Sequence, residues 1–211
     1  MSESGPSHFL YMDTSDHLVV GLLDSNYNWC EFVELEGTRN SGRIHGIIHE
    51  ILAKHKLAPQ NLAMIIQNAG PGSYTGMRVS EGISQIFSWQ GVPVCSFLHF
   101  EVPQFLGVKQ GQWLAKAFKG EFFFHSWNEN DKTTELLNLE LAQEKVSKTP
   151  TYCHFRSSLE KDFEKSSFNF LETGSLIYKQ ATQLFPLISK RGSRLSPYYF
   201  RTVDQEFKIS K

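Results

Sequence analysis

Apolar and polar positions alternate in short blocks at the start of the chain. Phe9 to Met12 reads as a buried strand ending at Asp13-Thr14-Ser15, Leu18 to Leu23 as a second strand and Trp29 to Leu35 as a third. Asp24-Ser25-Asn26 supplies a turn signal, so the opening is predicted to be a β-meander. The period then lengthens. From Asn40 or Ser41 to about Lys56 the spacing predicts a helix whose Ile44, Ile47, Ile48 and Ile51 form a stripe suited to covering the sheet. Opposite that stripe, Gly42, Gly46, His49 and Ala53 fall on one line. Glycine inside a helix costs roughly 1 kcal/mol relative to alanine, so two on one face predict a backbone that another element approaches closely.

An apolar run from Leu62 to Ile66 leads into Gly70-Pro71-Gly72-Ser73-Tyr74-Thr75-Gly76, and the helical pattern of Met77 to Trp89 leads out. Strand, glycine turn and helix start can aim backbone N–H groups and the positive end of a helix dipole at an anion. The same arrangement also serves as a tight helix-capping turn without a ligand, with Ser73 or Thr75 as the cap. Asp13 sits at a strand end followed by hydroxyls, where a carboxylate either holds a magnesium-bound water or bonds backbone within the turn. In the helix, Gly76, Ser80, Ile83 and Phe87 share a face flanked by Ser84 and Ser88, with Arg78, Glu81 and Gln85 lying away from it. Small residues near its start predict that another helix crosses close to Gly76. The alternative is that the two helices pack only on each other and on the sheet.

After Gln90-Gly91, Val92 to Phe97 predicts a further strand, and the pattern resets near Pro103 to Gly111. Gln112 to Phe118 and Glu121 to Trp127 then suggest a hairpin around Lys119-Gly120. Thr134 to Asn138 reads as a strand, Leu139 to Val146 as a weak helix, Thr151 to Phe155 as a short strand and Leu159 to Lys165 as a helix. A helix is predicted from Ser175 to about Lys190, bent or ended by Pro186. The second half therefore loosely repeats the first.

Composition narrows the classes. With 211 residues, 40% hydrophobic content and 17 Phe, the chain can bury a sizeable core as one large domain or two small ones. A net charge of −1 supplies no overall basic field, so RNA would be held mainly by another subunit. Lys145, Lys148, Arg191 and Arg194 are scattered charges rather than an RNA track. Cys30, Cys95 and Cys153 are far apart, which fits reduced cytosolic thiols better than a disulfide framework. The first residues lack the order of a signal peptide, and no apolar run approaches a membrane span, so a cytoplasmic protein is expected. His45 and His49 have zinc-compatible spacing but no third ligand nearby in sequence. Ser73 lacks a Gly-x-Ser-x-Gly elbow, and the loop lacks a P-loop's Gly-Lys-Ser/Thr ending.

A repeated meander with crossover helices, an Asp after the first strand and a glycine turn after the fourth together resemble the actin-like ATPase fold. The stretch Gly-Pro-Gly-Ser-Tyr-Thr-Gly-Met-Arg, from Gly70 to Arg78, is similar to the Gly-Pro-Gly-Ser-Phe-Thr-Gly-Leu-Arg signature of the bacterial TsaB (YeaZ) family. Tyr11-Met12-Asp13-Thr14-Ser15, Glu50-Ile51-Leu52 and Pro197 to Arg201 extend the likeness. The resemblance implies an α/β, actin-like (ASKHA, ribonuclease H-like) fold. It would comprise a flexible N-terminus at 1–8, a first lobe at 9–103 and a divergent second lobe with a C-terminal tail at 104–211.

It also implies a non-catalytic subunit that binds and activates TsaD in forming N6-threonylcarbamoyladenosine at position 37 of tRNA, with TsaE completing the assembly. In that family two helices of the first lobe make a four-helix contact with TsaD or, in the isolated subunit, with a second copy. Carried onto this chain, the interface would comprise Gly42, His45, Gly46, His49, Ala53, Gly76, Ser80, Ile83, Ser84 and Phe87. The loop set would be Asp13, Gly70, Pro71, Gly72, Ser73, Thr75, Gly76 and Arg78, structural in use or a vestige of a phosphate contact. No intrinsic cofactor or metal is implied. ATP or ADP would sit at the interface of the full complex, tRNA would be met only through the complex, and no membrane would be involved.

The chain also departs from the pattern. Asn40 stands where the family often has His, and Lys116-Ala117-Phe118 where it has Asp-Ala-Arg. His99-Phe100-Glu101-Val102-Pro103 replaces the metal-binding His-x-x-x-His of TsaD. These changes argue against an intact ATPase or metal site. The competing expectation is a stand-alone, nucleotide-binding, kinase-like protein of the same fold, favoured by Asp13 and the glycine loop.

Overall fold

The computed structural model describes residues 7–36, 38–117, 120–146, 150–163 and 168–199, with backbone alone at 38 and 39. The opening meander is β1 (His8–Asp13), β2 (Leu18–Leu23) and β3 (Trp29–Leu35). A 3₁₀ turn over Thr38–Arg43 precedes α1 (Ile44–Lys54), so Gly42 lies in that turn rather than inside the predicted helix. Then come β4 (Leu62–Asn68), α2 (Tyr74–Trp89) and β5 (Val94–Phe97). The sheet order is β3-β2-β1-β4-β5, antiparallel through the meander and parallel from β1 to β5.

A 3₁₀ turn at His99–Glu101 and α3 (Val102–Phe105) carry the chain across to a second sheet. That sheet contains β6 (Gly111–Lys116), β7 (Phe122–Trp127) and β8 (Lys132–Leu137), followed by α4 (Leu139–Val146), β9 (Thr151–Cys153) and β10 (Phe170–Glu172). Its order, β10-β9-β6-β7-β8, repeats the first sheet strand for strand, with the same antiparallel meander and the same parallel pair. The molecule is thus an α/β, two-lobed protein with the actin-like arrangement of duplicated meanders.

The first sheet is buried on both faces. Alternate residues separate cleanly: Leu10, Met12, Val20 and Leu22 meet Ile44, Ile48 and Ile51 of α1 and Ile83 and Phe87 of α2. Tyr11, Val19 and Ile66 face the other way. The layer on that second face comes from the end of the chain. α5 (Thr173–Lys179) and α6 (Ala181–Arg191) bring Ile177, Leu184, Phe185 and Ile188 against it. A division at 103/104 therefore separates the sheets but not the helices, because the first sheet needs a second apolar cover.

Three local expectations change. The single helix predicted from Ser175 breaks at Gln180, while α6 continues through Pro186 to Arg191. Residues 156–163 form a 3₁₀ turn and further turns instead of a helix, and the predicted end at Lys165 lies outside the described residues. Strand β10 had no counterpart in the pattern, being three residues long. Lys148, the hairpin tip at Phe118 and Lys119, and Phe200 and Arg201 also lie outside the described residues. No helix among the described residues is long and apolar enough to cross a membrane.

Candidate functional site

The glycine loop joins β4 to α2 and lies against the turn between β1 and β2. Gly70 has φ +107 and donates its N–H to Asn68 Oδ1 at 2.7 Å, a conformation open to glycine because it lacks a β-carbon. Close approach explains the next two glycines. A β-carbon at Gly72 would lie 2.3 Å from the Ser15 carbonyl oxygen, and one at Gly76 would lie 2.1 Å from that of Thr14. Ser73 donates its N–H to the Ser15 carbonyl at 2.6 Å, and its side chain caps α2 by accepting from the Gly76 N–H at 3.3 Å. The loop glycines are thus occupied by protein backbone. Pro71 is buried. Thr75 and Arg78 are exposed, and the Arg78 guanidinium lies over the Tyr74 ring at 5.1 Å while bonding its hydroxyl.

Asp13 is buried, and its carboxylate is fully engaged. Oδ1 accepts from the Ser15 N–H (2.8 Å) and the Ser15 hydroxyl (2.6 Å); Oδ2 accepts from His99 Nε2 (2.7 Å) and the Tyr11 hydroxyl (3.3 Å). Burial alone would raise its pKa, yet the His99 charge and these hydrogen bonds hold the carboxyl well below the usual carboxylate range. The expected place for a magnesium-bound water is therefore taken by an imidazole. On its other side, His99 Nδ1 lies 2.8 Å from Thr173 Oγ1. His154 meets His99 edge-on at 4.3 Å; burial first, then the neighbouring His99 charge, keeps His154 neutral by pushing its pKa well down.

Between the lobes a cleft of about 530 Å³ opens in front of the loop, with Ser73, Thr75, Asp16, Lys116, His154 and Tyr199 on its walls. Lys116 is paired across 2.5 Å with Asp162 of its own lobe. Asp16 accepts from the Ser158 hydroxyl across the cleft, while burial raises its pKa. Among the described residues this lining gives hydroxyls and an ion-paired lysine. Among the described residues no three His, Cys, Asp or Glu side chains come together as a metal site, and His45 and His49 lie exposed on α1.

The proposed helix face divides. Gly42, His45, Gly46, His49 and Ala53 are all exposed. Gly76, Ser80, Ile83, Ser84 and Phe87 are buried, which corrects the expectation that a partner helix crosses at Gly76. The reason is polar as well as steric: Ser80 Oγ donates to the Met77 carbonyl and accepts from Thr14 and Gln67, so the small side of α2 packs inward. Ile83 and Phe87 still reach the floor of an open apolar groove of about 430 Å³ between α1 and α2, beside His45, His49, Leu57 and Ile86. The outward residues of the second half of α2 are Gly82, Gln85, Ile86 (47% exposed) and Trp89 (81% exposed). Sequence reasoning missed Ile86 and Trp89; a large aromatic residue just before the Gln90-Gly91 stop was the available signal.

No protein-family model matches the chain. Over 94 residues, 44% of its length, it is 30% identical to the tRNA threonylcarbamoyladenosine biosynthesis protein TsaB of Bacillus subtilis (strain 168). The matched stretch spans about two fifths (41%) of that relative. In fold it is similar to YeaZ from Pseudomonas aeruginosa, with a TM-score of 0.62 and 15% identity over 90% of this chain and 96% of that one. A second P. aeruginosa crystal structure, of an uncharacterised protein with similarity to peptidase YeaZ, gives a TM-score of 0.62 and 15% identity over 92% of this chain and all of that one.

Proposed function

We propose that this chain, a relative of the TsaB (YeaZ) family with the actin-like two-lobed fold, is a non-catalytic cytoplasmic subunit of the tRNA threonylcarbamoyladenosine machinery. It binds TsaD through the α1–α2 face and holds it in its active arrangement. TsaE joins the full complex, ATP or ADP sits at a subunit interface rather than in this chain's own cleft, and tRNA is met through the assembly. Alone, the chain pairs with a second copy through the same face.

One observation carries the non-catalytic part: Asp13, the carboxylate an ATPase of this fold needs for its cation, is saturated by His99, Ser15 and Tyr11. The scaffold part is supported by Gly46 and Gly82. Both lie on exposed helix faces, and among the described residues nothing beyond their chain neighbours and the helix's own backbone lies within 4 Å of where their β-carbons would sit. Each leaves a helix cost of about 1 kcal/mol without return inside the subunit.

Titration of the same organism's TsaD into wild type, Gly46→Arg and Trp89→Ala tests the reading. Truncating a central aromatic anchor weakens an interface by about 2 kcal/mol or more, roughly thirtyfold in Kd, and arginine at Gly46 is expected to exceed that. Wild-type affinity in both variants would dismiss this face. Tight magnesium-ATP binding and turnover by the isolated chain would favour the kinase-like alternative instead.

A further inference from the structure

Among the described residues the chain passes between the two sheets twice. The first crossing runs from the end of β5 at Phe97 to β6 at Gly111 and contains His99. The second runs from β10 directly into α5 at Thr173. A hinge between the lobes has to work at these two places. The side chains of the crossings bond to each other, since His99 Nδ1 and Thr173 Oγ1 are 2.8 Å apart and both residues are wholly buried.

The Thr173 hydroxyl has one hydrogen, and it goes to the Cys153 carbonyl at 2.7 Å. The hydroxyl therefore accepts from His99 Nδ1–H. His99 Nε2 faces the Asp13 carboxylate, an acceptor, at 2.7 Å. Both ring nitrogens thus face acceptors, Nδ1 the Thr173 hydroxyl and Nε2 a carboxylate anchored on β1. Removing a partner from such a buried pair leaves a charge without compensation, so the arrangement has no cheap half-open state.

The geometry points to a hinge clamp: Asp13, His99 and Thr173 fasten the two inter-lobe crossings to each other and to the central strand, fixing the lobe angle and the width of the cleft. Movement of one lobe over the other would require this buried bond chain to break. The clamp needs no particular partner or reaction and stands or falls apart from the function proposed above.

Two buried thiols report on it. Cys153, on the cleft wall of the second lobe, and Cys95, inside the first sheet, are each 1% exposed. The native protein is pulsed with N-ethylmaleimide and modification is followed peptide by peptide in wild type, Thr173→Val, Thr173→Ser and His99→Gln. Thr173→Val keeps the shape and removes the hydroxyl, so Cys153 is expected to react at least tenfold faster while Cys95 stays at the wild-type rate. His99→Gln is expected to do the same, and Thr173→Ser to remain like wild type. Equal acceleration of both thiols would mean general loosening and would overturn the clamp, as would unchanged Cys153 reactivity in both Thr173→Val and His99→Gln.

Discussion

The first sheet lies between two helical layers, and all six residues of β2 are buried. The second sheet has α4 on one face and aromatic residues gathered around Phe100 on the other, and its outer strand β8 exposes every residue but Leu137. Strand order is the same in both. What differs is cover, since the helices that follow β10 leave their own sheet and complete the first one. A duplicated topology has thus become an asymmetric molecule, with a doubly covered platform carrying α1 and α2 and a thinner lobe leaning on it.

This asymmetry is most directly broken at Phe185. The residue is fully buried, it comes from the second half of the sequence, and its ring meets Tyr11 (5.3 Å) and Trp29 (5.7 Å) of the first sheet. Phe185→Ala is expected to cost about 3–5 kcal/mol in denaturant unfolding. Hydrogen exchange should place the loss in β1 and β4 rather than in β6 and β7. Loss confined to the second sheet would show that α6 belongs with that lobe.

A second test separates packed from open glycines. At Gly76 an added methyl meets the backbone oxygen of Thr14, and neither side can give way easily. Gly76→Ala is therefore expected to destabilise by roughly 1–3 kcal/mol, the range for overpacking. A stabilising outcome would mean that α2 moves away from the β1–β2 turn without penalty.

The meander, the isoleucine stripe and the glycine loop were legible because each rests on local periodicity or turn chemistry. Ser80 and Ser84 were misread for a physical reason. Small polar residues on a helix mark close approach, but their partners, Thr14 and Gln67 for Ser80, are not visible in the helix's own spacing. The Asp13–His99 pair spans 86 residues of sequence and the His99–Thr173 bond 74, so no local pattern announces them. His99 attracted notice only as half of an absent metal pair. Its actual use is to face an acceptor with each ring nitrogen.

Acid provides a gentler contrast. Burial first, and then Lys132, lower the His125 pKa from its ordinary 6.5 to about 4. As pH falls from 6.5 towards 4, the unfolded chain takes up a proton at this histidine that the folded chain refuses, so stability declines across that window and levels off below it. His154, also lowered, acts with the same sign. Both lie in the second lobe. Urea midpoints at pH 7 and pH 5 should therefore differ less for His125→Gln than for wild type, whereas an identical drop would remove His125 as a source of acid sensitivity.

The smallest effect is expected at Gly82, and its direction decides what the exposed face is for. Among the described residues nothing beyond its chain neighbours and the helix's own backbone lies within 4 Å of a β-carbon there, and the residue sits in the interior of α2, so Gly82→Ala should stabilise the isolated chain by up to about 1 kcal/mol. On the proposed function, a helix that forgoes this gain on an exposed face, next to Ile86 and Trp89, does so to let a partner approach. If the proposed function holds, the same substitution weakens TsaD binding while raising the melting temperature. Tighter folding with unchanged binding would leave Gly82 without a role in the contact and would shift the partner's path toward α1, where Gly46 poses the same test.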